Sequence, residues 1–170
     1  MKWIKSDKIA VIWTILRVWL GVQWIEAGWS KVTGGFDAGG FLKGAIAKAS
    51  GDHPAVQGWY AGFLENFALP NVELFNVIIP WAEFLAGIGL ILGALTLPAL
   101  IGAAFMNLNF MLAGTTSTNP VLYTVAFILI LVGPTAYYYG LDRFLIPFTK
   151  DRMRKRKHDF KDKGHQAHAH

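Results

Sequence analysis

Four blocks of nearly uninterrupted apolar sequence decide what this chain can fold into. They cover about 9–30, 74–95 (LFNVIIPWAEFLAGIGLILGAL), 98–113 (PALIGAAFMNLNFMLA) and 121–139 (VLYTVAFILILVGPTAYYY). A helix needs about 20 apolar residues to cross a bilayer core, and only the third block is somewhat short of that. The hydrophobic fraction of 54% is too high for an ordinary soluble domain of 170 residues, and its gathering into blocks points to lipid rather than to a greasy globule. The first block is not read as a signal peptide: it is too long, Arg17 interrupts it, and no small-x-small cleavage pattern follows.

A tight turn at Leu97 and Pro98 is expected between the second and third blocks, and GTTSTNP (114–120) joins the third and fourth. Such short links suit antiparallel neighbours. The chain is therefore expected to be an all-α membrane protein. Its architecture is a four-transmembrane-helix bundle, with an amphipathic helical segment between spans 1 and 2. Residues 1–147 form the transmembrane domain and 148–170 a basic cytoplasmic tail.

Basic residues set the orientation. Lys2, Lys5 and Lys8 precede the first span, and Lys150, Arg152, Arg154, Lys155, Arg156, Lys157, Lys161 and Lys163 follow the last. Four spans place both termini on one face, which the positive-inside rule makes cytoplasmic. The net charge of +5 is thus a topology signal with attraction to anionic lipid headgroups, not a nucleic-acid footprint. The ending HQAHAH reads as a solvated tail, with weak metal binding as its alternative.

Composition also removes chemistry. Cysteine is absent, which excludes disulfides, thiolate metal sites, iron–sulfur clusters and covalent haem. The five histidines, His53, His158, His165, His168 and His170, all lie outside the apolar blocks, so a bis-histidine haem is not expected either. Any electron transfer must use an organic cofactor such as a quinone, or a partner.

Between the first two spans, a helix is expected from about 40 to 49. A second follows, in which Val56, Trp59, Tyr60, Phe63, Leu64 and Phe67 fall on one face and end before Pro70. Such a helix anchors at the outer interface, or lids a pocket.

A few polar residues sit at awkward depth: Arg17, Gln23 and Glu26 in the first span, Glu83 in the second, Asn107 and Asn109 in the third. A charge at the bilayer centre costs at least about 2.5–3.5 kcal/mol, so each should face the interior with a partner. At about 100° per residue, Arg17, Gly21, Trp24, Gly28 and Lys31 share one stripe and Glu26 points away. Depth favours Arg17 pairing with Glu83, assisted by Asn107, and leaves Glu26 without an assigned role. Two readings stay open. The Arg17–Glu83 pair is a clasp that fixes helix register, or it is a site in which Arg17 meets a quinone oxygen and Glu83 handles protons. Trp24, Trp29 and Trp81 offer flat surfaces for a ring, or serve as packing and interfacial belt.

The first-span pattern Arg17-x3-Gly21-x2-Trp24-x3-Gly28-x2-Lys31 resembles that of the DoxX/DoxD-like membrane proteins. So do PWAEFLAGIGLILGAL (80–95), MNLNFMLAGTTSTNP (106–120), YYGLDRFLIP (138–147) and the stretch GGFDAGGFLKGAIA (34–47). The resemblance implies a four-helix protein of a bacterial or archaeal cell membrane. Its best-defined role is the membrane subunit of thiosulfate:quinone oxidoreductase, which works with a smaller partner subunit. On that implication Arg17 and Glu83 are the candidate catalytic pair, and Trp24, Lys31, Trp81, Asn107 and Asn109 the candidate quinone-binding residues. Membrane lipids, a small redox subunit or a second copy are the expected partners. A non-catalytic scaffold for soluble redox enzymes and a small-solute carrier are the alternatives. Pro134 departs from the family pattern and is expected to kink the fourth span.

Overall fold

The computed structural model describes residues 7–167. Lys2, Lys5, His168 and His170 lie outside them, as do the side chains from Lys155 onward, and so does the reading of the HQAHAH ending. The described residues are helical and contain no strand: α1 (Asp7–Gly34), α2 (Ala38–Ala47), α3 (Gly58–Phe63), α4 (Val72–Leu92), α5 (Thr96–Leu112), α6 (Asn119–Val132) and α7 (Asp142–Ala167). Three helical runs among them are long and apolar enough to cross a membrane: Lys8–Gly34, Gly58–Leu92 and Asn119–Tyr137. Thr96–Leu112 is a shorter apolar helix.

Helix α1 packs along α4, α4 against α5, α5 against α6, and α6 back against α1. The α1–α4 seam is built on glycine. A Cβ on Gly21 would lie 2.9 Å from the Gly87 carbonyl oxygen, and one on Gly28 would lie 2.5 Å from the Phe84 nitrogen. Small residues let the two backbones approach, as they do where apolar surroundings supply no hydrophobic drive. The same contacts fix the register. Gly21 meets Gly87 and Ile91 while Gly28 meets Phe84, so the helices are antiparallel and Glu83 lies beyond Gly28, toward Lys31.

The segment between the first two spans forms a cap on the Lys31 end. Asp37 caps α2 by accepting from the Gly39 and Gly40 amides, and the Ala38 amide donates to Asn76 Oδ1 at 2.8 Å, which ties α2 to α4. Val56, Tyr60 and Leu64 are buried in the cap's own core with Leu42 and Ala113. Trp59, Phe63 and Phe67, from the same expected apolar stripe, are instead exposed. The stripe is thus wide enough to serve both a core and an apolar exterior.

Three sequence expectations change. The aromatic helix does not end before Pro70. It continues into α4 through one π turn (Leu64–Ala68) and one 3-10 turn (Leu69–Asn71). Proline lacks an N–H and crowds the carbonyl four residues back. The π turn carries the backbone past it with a Leu69 amide bond to the Leu64 carbonyl, while the Asn71 side chain donates to the Phe67 carbonyl. The turn between α4 and α5 lies at Gly93 and Leu95 rather than at Leu97 and Pro98. Gly93 adopts φ 62°, and Pro98 sits in the first turns of α5, where its missing N–H costs little. At Pro134 the fourth span is interrupted rather than kinked within one helix: α6 stops at Val132, Gly133 takes φ 68°, and Gly133–Tyr137 follow as a 3-10 helix.

Candidate functional site

The antiparallel register separates the polar residues that the sequence placed together. Arg17 and Glu83 are not partners. Counted along the seam, Arg17 is level with Gly93 at the end of α4, and Glu83 is level with the last turns of α1. Pairing by the centre of each apolar block failed because the two helices are offset.

At the end opposite the cap, Arg17 is 1% exposed and its Nη2 donates to the Tyr139 carbonyl at 2.8 Å. Its guanidinium lies against Gly93 and Gly140, where any Cβ would overlap it. Asp142 supplies the countercharge. The same carboxylate accepts from the Leu95 amide at 2.8 Å and the Thr96 amide at 2.7 Å, capping α5 and holding Leu95 at φ 50°. The Leu141 and Asp142 amides return to the Leu92 and Gly93 carbonyls. These contacts form a knot that binds α1, the α4–α5 turn and the start of α7, within which Arg17 Nε and Nη1 and Thr96 Oγ1 are buried without a hydrogen-bond partner. Asp142 was not singled out from the sequence, although it lies in the quoted YYGLDR stretch; an acid three residues beyond a tyrosine run carries no signal of its own.

At the cap end, Glu83 Oε2 accepts from Lys31 Nζ at 2.6 Å. Glu83 is 1% exposed while Lys31 keeps 26% of its side chain open. The ammonium also lies 5.7 Å from the Phe36 ring centroid and 6.0 Å from that of Phe110. Both members of the pair line a cleft of about 390 Å³ whose walls include Trp24, Glu26, Asn107, Thr115 and Asn119. Glu26, unassigned from the sequence, belongs to this wall.

Two lining residues hold polar atoms that nothing satisfies. Trp24 Nε1 and both amide atoms of Asn107 are buried without a hydrogen-bond partner, and Asn107 is 0% exposed. Leaving such groups unpaired costs about 1–3 kcal/mol each. Arg17 Nε and Nη1 and Thr96 Oγ1, at the other end, are buried without a partner as well, so what sets Trp24 and Asn107 apart is that they line a cleft. The cleft is lined by residues that carry donors (Trp24, Asn107 and Lys31) and acceptors (Asn107 and Glu83), with aromatic walls at Phe36, Phe41 and Phe110. That combination suits a small, flat, oxygen-bearing ring.

The remaining candidates lie elsewhere. Asn109 is two residues past Asn107 and so turns to another side of α5. Its Oδ1 accepts from the Tyr60 hydroxyl at 3.0 Å, at the edge of a second, apolar cavity. Trp81 is 48% exposed and packs edge-on to Phe84 rather than on the cleft. Of the seven candidate residues, Trp24, Lys31, Glu83 and Asn107 come together.

No curated protein and no solved structure matches this chain. The DoxX family model matches residues 12–118, a stretch that contains the whole α1–α4 seam, the cap, and the Trp24, Lys31, Glu83 and Asn107 cleft. The chain belongs to the DoxX family.

Proposed function

We propose that this protein is the quinone-binding membrane subunit of an oxidoreductase, and that the cleft between Lys31–Glu83 and Asn107 receives the quinone ring. One observation supports the reading: Trp24 and Asn107, whose side chains bury hydrogen-bonding atoms without a partner, line the same cleft as the Lys31–Glu83 ion pair. Reducing a quinone takes two electrons and two protons. Within the cleft, the Trp24 and Asn107 N–H groups hold one ring oxygen, and Lys31 and Glu83 hold and hand over protons at the other. No redox group is assigned to the chain itself, so the electrons come from a donor handled by a small partner subunit.

Thiosulfate as that donor rests on the family resemblance. The cleft sets Lys31 against both Glu26 and Glu83, a poor balance for a dianion. Donor binding is therefore assigned to the partner.

In this reading α5 also spans and brings the count to four: its 17 residues rise about 25 Å, most of an apolar core about 30 Å thick. The protein then crosses a bacterial or archaeal cell membrane four times, with both termini and the basic segment on the cytoplasmic side and the cap outside. The domain boundary placed at 147 and 148 falls within α7 (Asp142–Ala167), so the basic segment starts as a continuation of helix.

The test is quinone binding and donor-dependent quinone reduction by the protein in lipid nanodiscs. Glu83→Gln and Asn107→Leu are each expected to lower both by at least tenfold while the protein folds normally. Unchanged binding and reduction in both variants overturn the assignment. A gently extracted wild-type protein that neither retains nor binds quinone favours the scaffold function instead.

A further inference from the structure

Glu26 is the charged residue of the cleft that holding the ring does not use. On α1, at about 100° per residue, Gln23, Trp24, Ala27 and Lys31 share an arc of about 100°, and Glu26 lies about 60° beyond its Gln23 edge. It therefore sits at the rim of the cleft rather than on its floor. Burial agrees: Glu26 is exposed, whereas Trp24 and Glu83 are buried.

The charges of the cleft do not balance. Its charged lining residues are Lys31, Glu83 and Glu26. Lys31 and Glu83 neutralise each other in contact at 2.6 Å, and Glu26 has no ion-pair or hydrogen-bond partner among the described residues. One negative charge is left over, and it is carried at the rim. The apolar groove between α4 and α5, which shares Phe41 and Phe110 with the cleft, has no charged residue in its lining. Discrimination by charge is thus a property of the cleft alone.

The depth of Glu26 adds to the case. It lies about 12 Å inside the cap end of α1, within a helix long and apolar enough to cross a membrane. An ionisable side chain at such a level is costly to keep, and no contact of Glu26 within the fold offsets that cost.

We propose that Glu26 sets the charge class of the ligand: the cleft admits uncharged and positively charged rings and turns away anionic ones. The assignment rests on the reading of the cleft as the ring site. A carboxylate a few ångströms from an approaching anion, beside apolar walls, repels it enough to lower affinity about tenfold. Lys31 does not rescue the anion, because turning to it would strand the buried Glu83 carboxylate. Neutral quinones are accepted on this basis, and ring compounds ionised at a hydroxyl are refused.

The test uses three naphthoquinones that carry a tert-butyl, a trimethylammonium or a sulfonate group at the same ring position. The substituents are similar in shape and differ in fixed charge. Binding is measured to the protein in nanodiscs of zwitterionic phospholipid, with partition into empty nanodiscs subtracted. Wild-type protein is expected to bind the sulfonate at least tenfold more weakly than the tert-butyl ring. Relative to the tert-butyl ring, Glu26→Gln should strengthen the sulfonate at least threefold and weaken the trimethylammonium ring at least threefold. Opposite shifts for opposite charges distinguish an effect of charge from a loss of structure. A sulfonate that binds wild type as tightly as the tert-butyl ring, or affinity ratios that Glu26→Gln leaves unchanged, overturn the proposal while the ring site stands. If the tert-butyl ring does not bind wild-type protein, the reading of the cleft falls and the proposal with it. If the ratios shift as expected while Glu83→Gln and Asn107→Leu leave the tert-butyl ring bound, the charge filter stands and the assigned ring contacts fall.

Discussion

The two ends of the α1–α4 seam solve one problem in opposite ways. Each buries a charged side chain among apolar helices. At the tail end, Arg17 is enclosed by glycine backbone, the Tyr139 carbonyl and Asp142, and the carboxylate's remaining capacity is used to cap α5. At the cap end, Glu83 has one partner, Lys31, which is itself partly exposed, and the space beside them is a cavity with unpartnered Trp24 and Asn107 atoms. A charge enclosed by backbone is structural, because no ligand can reach it. Both ends leave polar atoms unpartnered, Arg17 Nε and Nη1 with Thr96 Oγ1 at one and Trp24 Nε1 with the Asn107 amide at the other, and at the second they belong to residues that line a cleft.

The largest effect should come from breaking the enclosed end. Asp142→Ala removes the carboxylate that acts on Arg17 and leaves the Leu95 and Thr96 amides uncapped, a loss of about 1–2 kcal/mol for the cap and about 1–3 kcal/mol for the buried groups left without a partner. Thermal unfolding in detergent should show a marked drop in midpoint or a failure to accumulate. A variant as stable as the wild type would mean that the knot is not what holds α1 to the α4–α5 turn.

The cap-end pair should respond asymmetrically. Lys31→Met strands a buried carboxylate and is expected to cost about 1–3 kcal/mol. Glu83→Gln leaves a lysine that can turn toward water and should cost under about 1 kcal/mol. Equal losses in the two variants would contradict the difference in exposure on which the comparison depends.

Asn107→Leu sharpens the contrast further. It removes two buried polar atoms that have no partner, so stability should be unchanged or rise by up to about 1 kcal/mol, while ring binding weakens at least tenfold. A residue that lowers stability in the service of binding has this signature, and destabilisation without loss of binding would assign Asn107 to packing. The smallest effect is expected at Trp81. As an exposed residue outside the cleft, Trp81→Ala should alter stability by less than about 0.5 kcal/mol and leave ring affinity within twofold.

Much of this was legible in the chain itself. Period and length gave the helices, because apolar blocks of about 20 residues leave few other options. The stripe of Gly21 and Gly28 marked the side of α1 where another backbone approaches, Glu83 and Asn107 were flagged because polar atoms at such depth need partners, and Trp24 and Lys31 as a flat surface and the outer end of that stripe. The pairing was not legible. Arg17 and Glu83 are each near the middle of a hydropathy block, but hydropathy does not report how far one helix is displaced along another. A shift of a few turns exchanged Glu83's partner from Arg17 to Lys31. The sequence likewise hid Asp142, whose role depends on the chain returning from α6 to the α4–α5 turn.

Local sequence thus determined that this protein is helical and apolar, and which side chains would be costly to bury alone. Periodicity and desolvation act residue by residue, so they can be read along the chain. Tertiary structure alone decided which buried charge is sealed and which opens on a cavity. That depends on the offset of α1 against α4 set by glycine contacts, and on the Phe41–Phe110 wall that divides a polar cleft from an apolar groove.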